Sequence, residues 1–162
     1  MSEHDGTFRL QPVAPRGMSD RDYALLLGES ERNRVFHDLA RQARLVRGRD
    51  ISELKFEIAR LKTEGLWEEA LDLAYDCADA EEKARDFFRQ MTTRGVLYDL
   101  RRGAGSWYKE VAIILRKLKD YEAEVRYLEY VLEMDPEYTE MAARLAKARQ
   151  LAAKQSGAQH ES

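Results

Sequence analysis

The residues of this 162-residue chain that could do chemistry are few and scattered. His4 and His160 sit in the terminal stretches, which leaves His37 as the histidine within the ordered body, far in sequence from the single Cys77. A nucleophile needs a base within hydrogen-bond reach, and no such pair is indicated. From Glu64 to Glu82 there are eight acids and no lysine or arginine, with Glu68, Asp72 and Asp76 stacked at i, i+4 spacing on one helix face. A metal site would want a histidine or a second ligand-bearing helix, so no metal is expected. The acidic face reads instead as one that meets basic residues in the same molecule, in a second copy or in a partner.

Two basic stretches stand against it: Arg32, Arg34, Arg41, Arg44, Arg47 and Arg49, then Arg85, Arg89, Arg94, Arg101 and Arg102. Such runs can grip phosphates. They do not share a narrow helix face, however, and neighbouring acids dilute their field. The segment from Arg101 to Ser106 holds Gly103 and Gly105 and leads into a helix, a geometry that can hold an anion on free amides. It lacks the lysine and spacing of a Walker phosphate loop, and a flexible turn is the simpler account. Neither catalysis nor a cofactor is expected.

The elements that position these residues are helices. Only 3 Pro and 9 Gly occur, while Ala, Leu, Glu, Arg and Lys are abundant. These propensities give an all-α chain of one domain. A net charge of −3 supplies no global attraction to nucleic acid or anionic lipid. No stretch approaches the roughly 18 apolar residues of a membrane span. One cysteine and no signal-peptide pattern suit a soluble cytoplasmic protein.

Residues 1–18, without apolar period, are expected to form a disordered or draped arm, residues 19–154 a single helical domain, and residues 155–162 a disordered tail. Ser19 caps a short helix, Asp20 to Leu27, stopped by Gly28. A second helix runs from Glu31 to Arg47, with Ser30 as cap, Gly48 as terminator, and Val35, Phe36, Leu39, Ala43 and Val46 on one face. Asp50 caps a third, whose seam is Ile51, Leu54, Ile58 and Leu61 and whose end is Gly65. Leu66 and Trp67 open a fourth, reaching about Ala78. Asp79 caps an inserted helix with Ala84, Phe87, Phe88 and Met91 inward and Gly95 as stop. Ser106 caps the helix from Trp107 to Leu118. After a Lys119-Asp120-Tyr121 break comes Tyr121 to Met134, and Asp135-Pro136 then starts a terminal helix carrying Tyr138, Met141, Ala142, Leu145 and Ala148 on one side.

Residues 107–138, WYKEVAIILRKLKDYEAEVRYLEYVLEMDPEY, have the layout of one helical hairpin. Residues 61–80 can be laid on residues 115–134: Gly65 then matches Lys119, Trp67 matches Tyr121, Ala70 matches Glu124, Ala74 matches Leu128 and Cys77 matches Val131, at an offset of 54. The better copy resembles the tetratricopeptide-repeat (TPR) family, with Tyr108, Val111, Ala112 and Leu115 at its large, large, small and large positions, and Leu128 and Pro136 also fitting. Glu124 departs from it, since the family wants alanine there. Between packed helices that carboxylate either pairs with Arg116 or rotates into solvent. A regular repeat recurs every 34 residues or so, which leaves roughly 20 extra residues as an insertion.

The resemblance implies TPR-like stacked hairpins with an N-terminal helical extension and a C-terminal capping helix. It also implies a ligand groove on the outward face of each first helix. Those faces hold Ser52, Lys55, Ala59 and Lys62, then Ser106, Lys109, Ile113, Arg116 and Lys117. Both are basic, which suits an acidic peptide or a protein partner. The asparagines of TPR carboxylate clamps are absent, since Ala59 and Ile113 stand in their places. Tyr127, Tyr130 and Tyr138 are interface candidates. The expected function is non-enzymatic: an adaptor or regulator that binds a protein or peptide. The alternatives are a homo-oligomer that docks the acidic 64–82 face on the basic 32–49 stretch, and a nucleic-acid-associated regulator using the arginines.

Overall fold

A computed structural model describes residues 16–90 and 101–160. Among them the chain forms α1 (Asp20–Ala43), α2 (Ile51–Thr63), α3 (Trp67–Arg89), α4 (Arg101–Lys117), α5 (Tyr121–Met134) and α6 (Thr139–His160). A two-residue antiparallel pair, β1 (Leu45–Val46) and β2 (Arg49–Asp50), joins α1 to α2. The all-α class holds. The helices α2 and α3 form one hairpin and α4 and α5 a second; α3 packs on α4 to stack them, α1 lies on α3, and α6 covers α5. No helix among the described residues is long and apolar enough to cross a membrane.

The helix starts follow from local chemistry. The Ser19 hydroxyl accepts the Asp22 amide, and Asp50 and Asp120 accept the amides of Ser52 and Ala123. Burial works against the Asp50 charge, but hydrogen bonds from Arg44 and Ser52 outweigh it and hold the carboxyl at about 2.

The two first helices end in the same way. After α2, the Leu66 amide donates to the Leu61 carbonyl at 2.9 Å and Gly65 to Lys62 at 3.1 Å; after α4, Asp120 donates to Leu115 at 3.0 Å and Lys119 to Arg116 at 3.0 Å. Each is a Schellman turn, which needs one residue in the left-handed region. Gly65 meets that need with φ 76°, and Lys119 does so with φ 57°. Gly65 and Lys119, 54 residues apart, thus hold the same position in equivalent turns. Because a Cβ is disfavoured in that conformation, Lys119→Gly is expected to stabilise the fold by about 1 kcal/mol in urea unfolding. No gain would mean that the lysine's own contacts offset the backbone strain.

The core runs through both hairpins. It takes Ile51, Leu54, Ile58 and Leu61 from α2, Ala70, Leu73, Ala74 and Cys77 from α3, and Leu128 and Val131 from α5. Helix α4 is buried over a wide arc, since Trp107, Tyr108, Val111, Ala112, Ile114 and Leu115 are all inside. That is the expected pattern for a helix with packed neighbours on several sides.

The structure corrects several boundaries. Gly28 does not stop a helix: α1 is continuous through it, because one glycine costs a helix only about 1 kcal/mol. The helix ends at Ala43 rather than Arg47. Positive φ at Arg47 (53°) and Gly48 (78°) makes the turn of the β1–β2 hairpin there. Val35, placed inward by periodicity, is 55% exposed. Asp79 is no cap, because the buried stripe of Cys77, Ala78, Ala80 and Ala84 carries α3 through it to Arg89 beneath α1.

The inserted helix is therefore absent as a separate element over 79–89. Residues 101–106 are helical and open α4, so Ser106 is not its cap. Met91 and Gly95 lie outside the described residues, as do residues 1–15. Asp135 closes α5, and α6 begins at Thr139. The predicted tail is helical as far as His160, and the Gln155 amide donates to the Lys119 carbonyl.

Candidate functional site

A cleft of about 270 Å³ opens between the first helices of the two hairpins, lined by Lys55, Ile58, Ala59 and Lys62 from α2 and Trp107 and Glu110 from α4. Its position follows from the helix period: 55, 58, 59 and 62 recur at three- and four-residue spacing and form one ridge beside the buried seam. Ile58 and Trp107 are almost wholly buried and supply the floor. Ala59, where a larger side chain would fill the space, keeps the cleft open.

The rim is charged. Lys62 pairs with Glu110 across the cleft, and both side chains are about three-quarters buried. Burial also lowers the Lys62 pKa from its ordinary value. The Lys55 ammonium lies 5.9 Å from the Trp107 ring centroid, within cation–π range, on an exposed residue. The arrangement can seat one apolar side chain on Ile58, Ala59 and Trp107 and hold a carboxylate beside it on Lys55.

The other residues of the predicted groove go elsewhere. Lys109 pairs with Glu140 of α6 at 2.6 Å. Lys117 lies over the Trp67 ring at 5.4 Å. Ile113 is partly buried on α4. Arg116 turns inward between α4, α5 and α6. Its Nη2 lies 2.8 Å from Glu124 Oε1, its Nε donates to Oε2 at 3.2 Å, and Nη2 also donates to the Arg144 carbonyl at 3.0 Å. Glu124 has no exposed surface. Its Oε1 contact is an ion pair without good hydrogen-bond alignment. Of the two outcomes open for Glu124, the buried pair is the one that occurs. The predicted groove thus contracts to its Lys55 and Lys62 end, joined by Trp107 and Glu110.

The tyrosines divide. Tyr127 is partly buried against the core, its ring 5.4 Å from Tyr75 and 6.2 Å from Tyr108, with its hydroxyl buried. Tyr138 is partly buried against the core. Tyr130 is 43% exposed and donates its hydroxyl to Glu82 at 2.6 Å. Phe56, 82% exposed on α2, is an apolar surface residue that periodicity alone would have flagged, since it lies opposite the Leu54 and Ile58 seam.

Five arginines of the first basic stretch have contacts within the chain. Arg44 pairs with Asp50, Arg47 with Asp76 at 3.7 Å, Arg49 with Glu53, Arg34 with Glu31, and Arg32 lies over Phe36. One exposed ion pair, Arg47 with Asp76, joins the acidic 64–82 face to the basic 32–49 stretch within the chain. Arg94 lies outside the described residues. His37 is exposed on α1, whereas Cys77 is fully buried, and burial pushes its thiol up to about 12. No protein-family model, curated protein or solved structure matches this chain.

Proposed function

We propose that the two hairpins are a TPR-like pair and that the cleft between α2 and α4 binds an extended segment of another protein. The partner would insert one apolar side chain and place a carboxylate beside it. The observation that carries this reading is the cleft itself: an apolar floor of Ile58, Ala59 and Trp107 between the first helices of adjacent repeats, with Lys55 and the Lys62–Glu110 pair on its rim. The shared Schellman turns and the equal burial of Ala70 and Glu124, Ala74 and Leu128, and Cys77 and Val131 support the repeat. Recognition by one seated side chain with charge beside it is a recurring way to read short segments.

Selection from a random peptide library on the immobilised chain is expected to enrich sequences with an aliphatic or aromatic residue next to Asp or Glu. Ala59→Trp, which fills the cleft, is expected to weaken the selected peptides at least tenfold, and Lys55→Glu to weaken the acidic ones selectively. Enrichment that Ala59→Trp leaves unchanged would sink the proposal.

A further inference from the structure

The first half of α1 is an exposed helix with apolar side chains. Among the described side chains from Asp20 to Arg32, only Tyr23 is even partly buried. Leu25, Leu26 and Leu27 are 55%, 42% and 36% exposed, and Val35 further along is 55% exposed. Leu25, Gly28, Arg32, Val35 and Leu39 recur at alternating three- and four-residue spacing. That spacing puts them on one stripe about a quarter turn from Ala40, which faces α3. A shallow trough beside the stripe is lined by Leu27, Gly28, Glu31 and Arg34. An isolated helical segment of about a dozen residues is marginal in water, so a continuous α1 calls for a packing partner along this half.

Charge identifies the partner. Residues 20–31 carry four acids and one arginine, whereas residues 32–44 carry four arginines and one aspartate. Two copies of α1 laid antiparallel bring each acidic half over a basic half, and set Leu25 of one copy near Val35 and Leu39 of the other. A parallel pairing would set like charges together. We infer that this stripe of α1 is a self-association surface, through which two copies of the chain pair antiparallel about a two-fold axis. It lies away from the cleft between α2 and α4, so the two readings stand or fall separately.

Sedimentation equilibrium of the full chain from about 5 to about 200 µM at low salt is expected to show a mass rising from one towards two times the 18.8 kDa chain. Raising NaCl from about 50 to about 500 mM is expected to move the midpoint at least threefold to higher concentration. Leu25→Glu with Val35→Glu is expected to stay monomeric throughout. Both sites are exposed, so its melting temperature should match that of the dilute wild type.

Orientation is read by crosslinking. Leu25→Cys and Val35→Cys chains, mixed, are expected to join each other faster than either joins itself, and the buried Cys77 does not compete. A monomer at the highest concentration, a dimer indifferent to the double variant, or like-with-like crosslinking would each overturn the inference.

Discussion

Arg116→Ala is expected to cost about 3 kcal/mol or more in urea unfolding, because it leaves a charge with no exposed surface and no counter-ion. Glu124 occupies the position that Ala70 fills in the other hairpin, and both are fully buried. The carboxylate is tolerated there because Arg116 reaches it from α4 while its guanidinium also donates to the Arg144 carbonyl of α6. One side chain thus ties three helices, and its loss loosens the capping helix as well as the hairpin. The double variant Arg116→Met, Glu124→Met, which keeps volume and removes both charges, is expected to return to within about 1 kcal/mol of wild type. If Arg116→Ala alone is as stable as wild type, Glu124 is solvated and the three-helix tie does not exist.

The sequence offered that pair as one of two outcomes, because the alignment of residues 61–80 on 115–134 set Glu124 opposite Ala70 and put Arg116 one turn before the hairpin break; burial decides between them. The break itself was legible for a similar reason: Lys119-Asp120-Tyr121 carries a cap residue at the right distance from two apolar seams. The long helices were not. Gly28 and Asp79 looked like punctuation, but a glycine stops a helix only where the chain needs a left-handed turn, as at Gly65, and an aspartate caps only where the preceding helix has ended. The small residues Ala78, Ala80 and Ala84 were the signal that another helix, α1, presses on α3 and keeps it straight through Asp79. The hairpin at Arg47-Gly48 had a signal too, a residue-glycine pair after Leu45-Val46, which reads as a tight turn once the helix is allowed to end early. The candidate site was legible only in part. Helical spacing identifies which lysines share a face. It cannot show that Lys109 is engaged by Glu140, because that partner comes from α6.

Glu81→Gln is expected to stabilise the protein by about 3 kcal/mol at pH 8 and to change little near pH 4. Glu81 is 9% exposed on α3, and its Oε2 is buried without a hydrogen-bond partner among the described residues. Burial raises its pKa to about 7, more than Arg85 on the same helix, Arg44 at the end of α1 and Lys55 on α2 can offset. The unfolded chain releases this proton near the usual carboxylate pKa, so between about pH 4.5 and 7 the native state binds the extra proton. Stability contributed by the neutral acid is therefore complete at the low end of that window and falls as pH rises through 7. Glutamine keeps the shape and stays neutral, so the variant should lack this fall. Urea unfolding of both proteins across that range tests it. Curves that converge at low pH and separate by about 3 kcal/mol at pH 8 are expected, equivalent to roughly 10 °C in melting temperature for a chain of this size. Parallel curves, or a variant less stable than wild type at pH 8, would mean that the carboxylate is paired or hydrated in the folded protein and that its charge supports the α1–α3 packing.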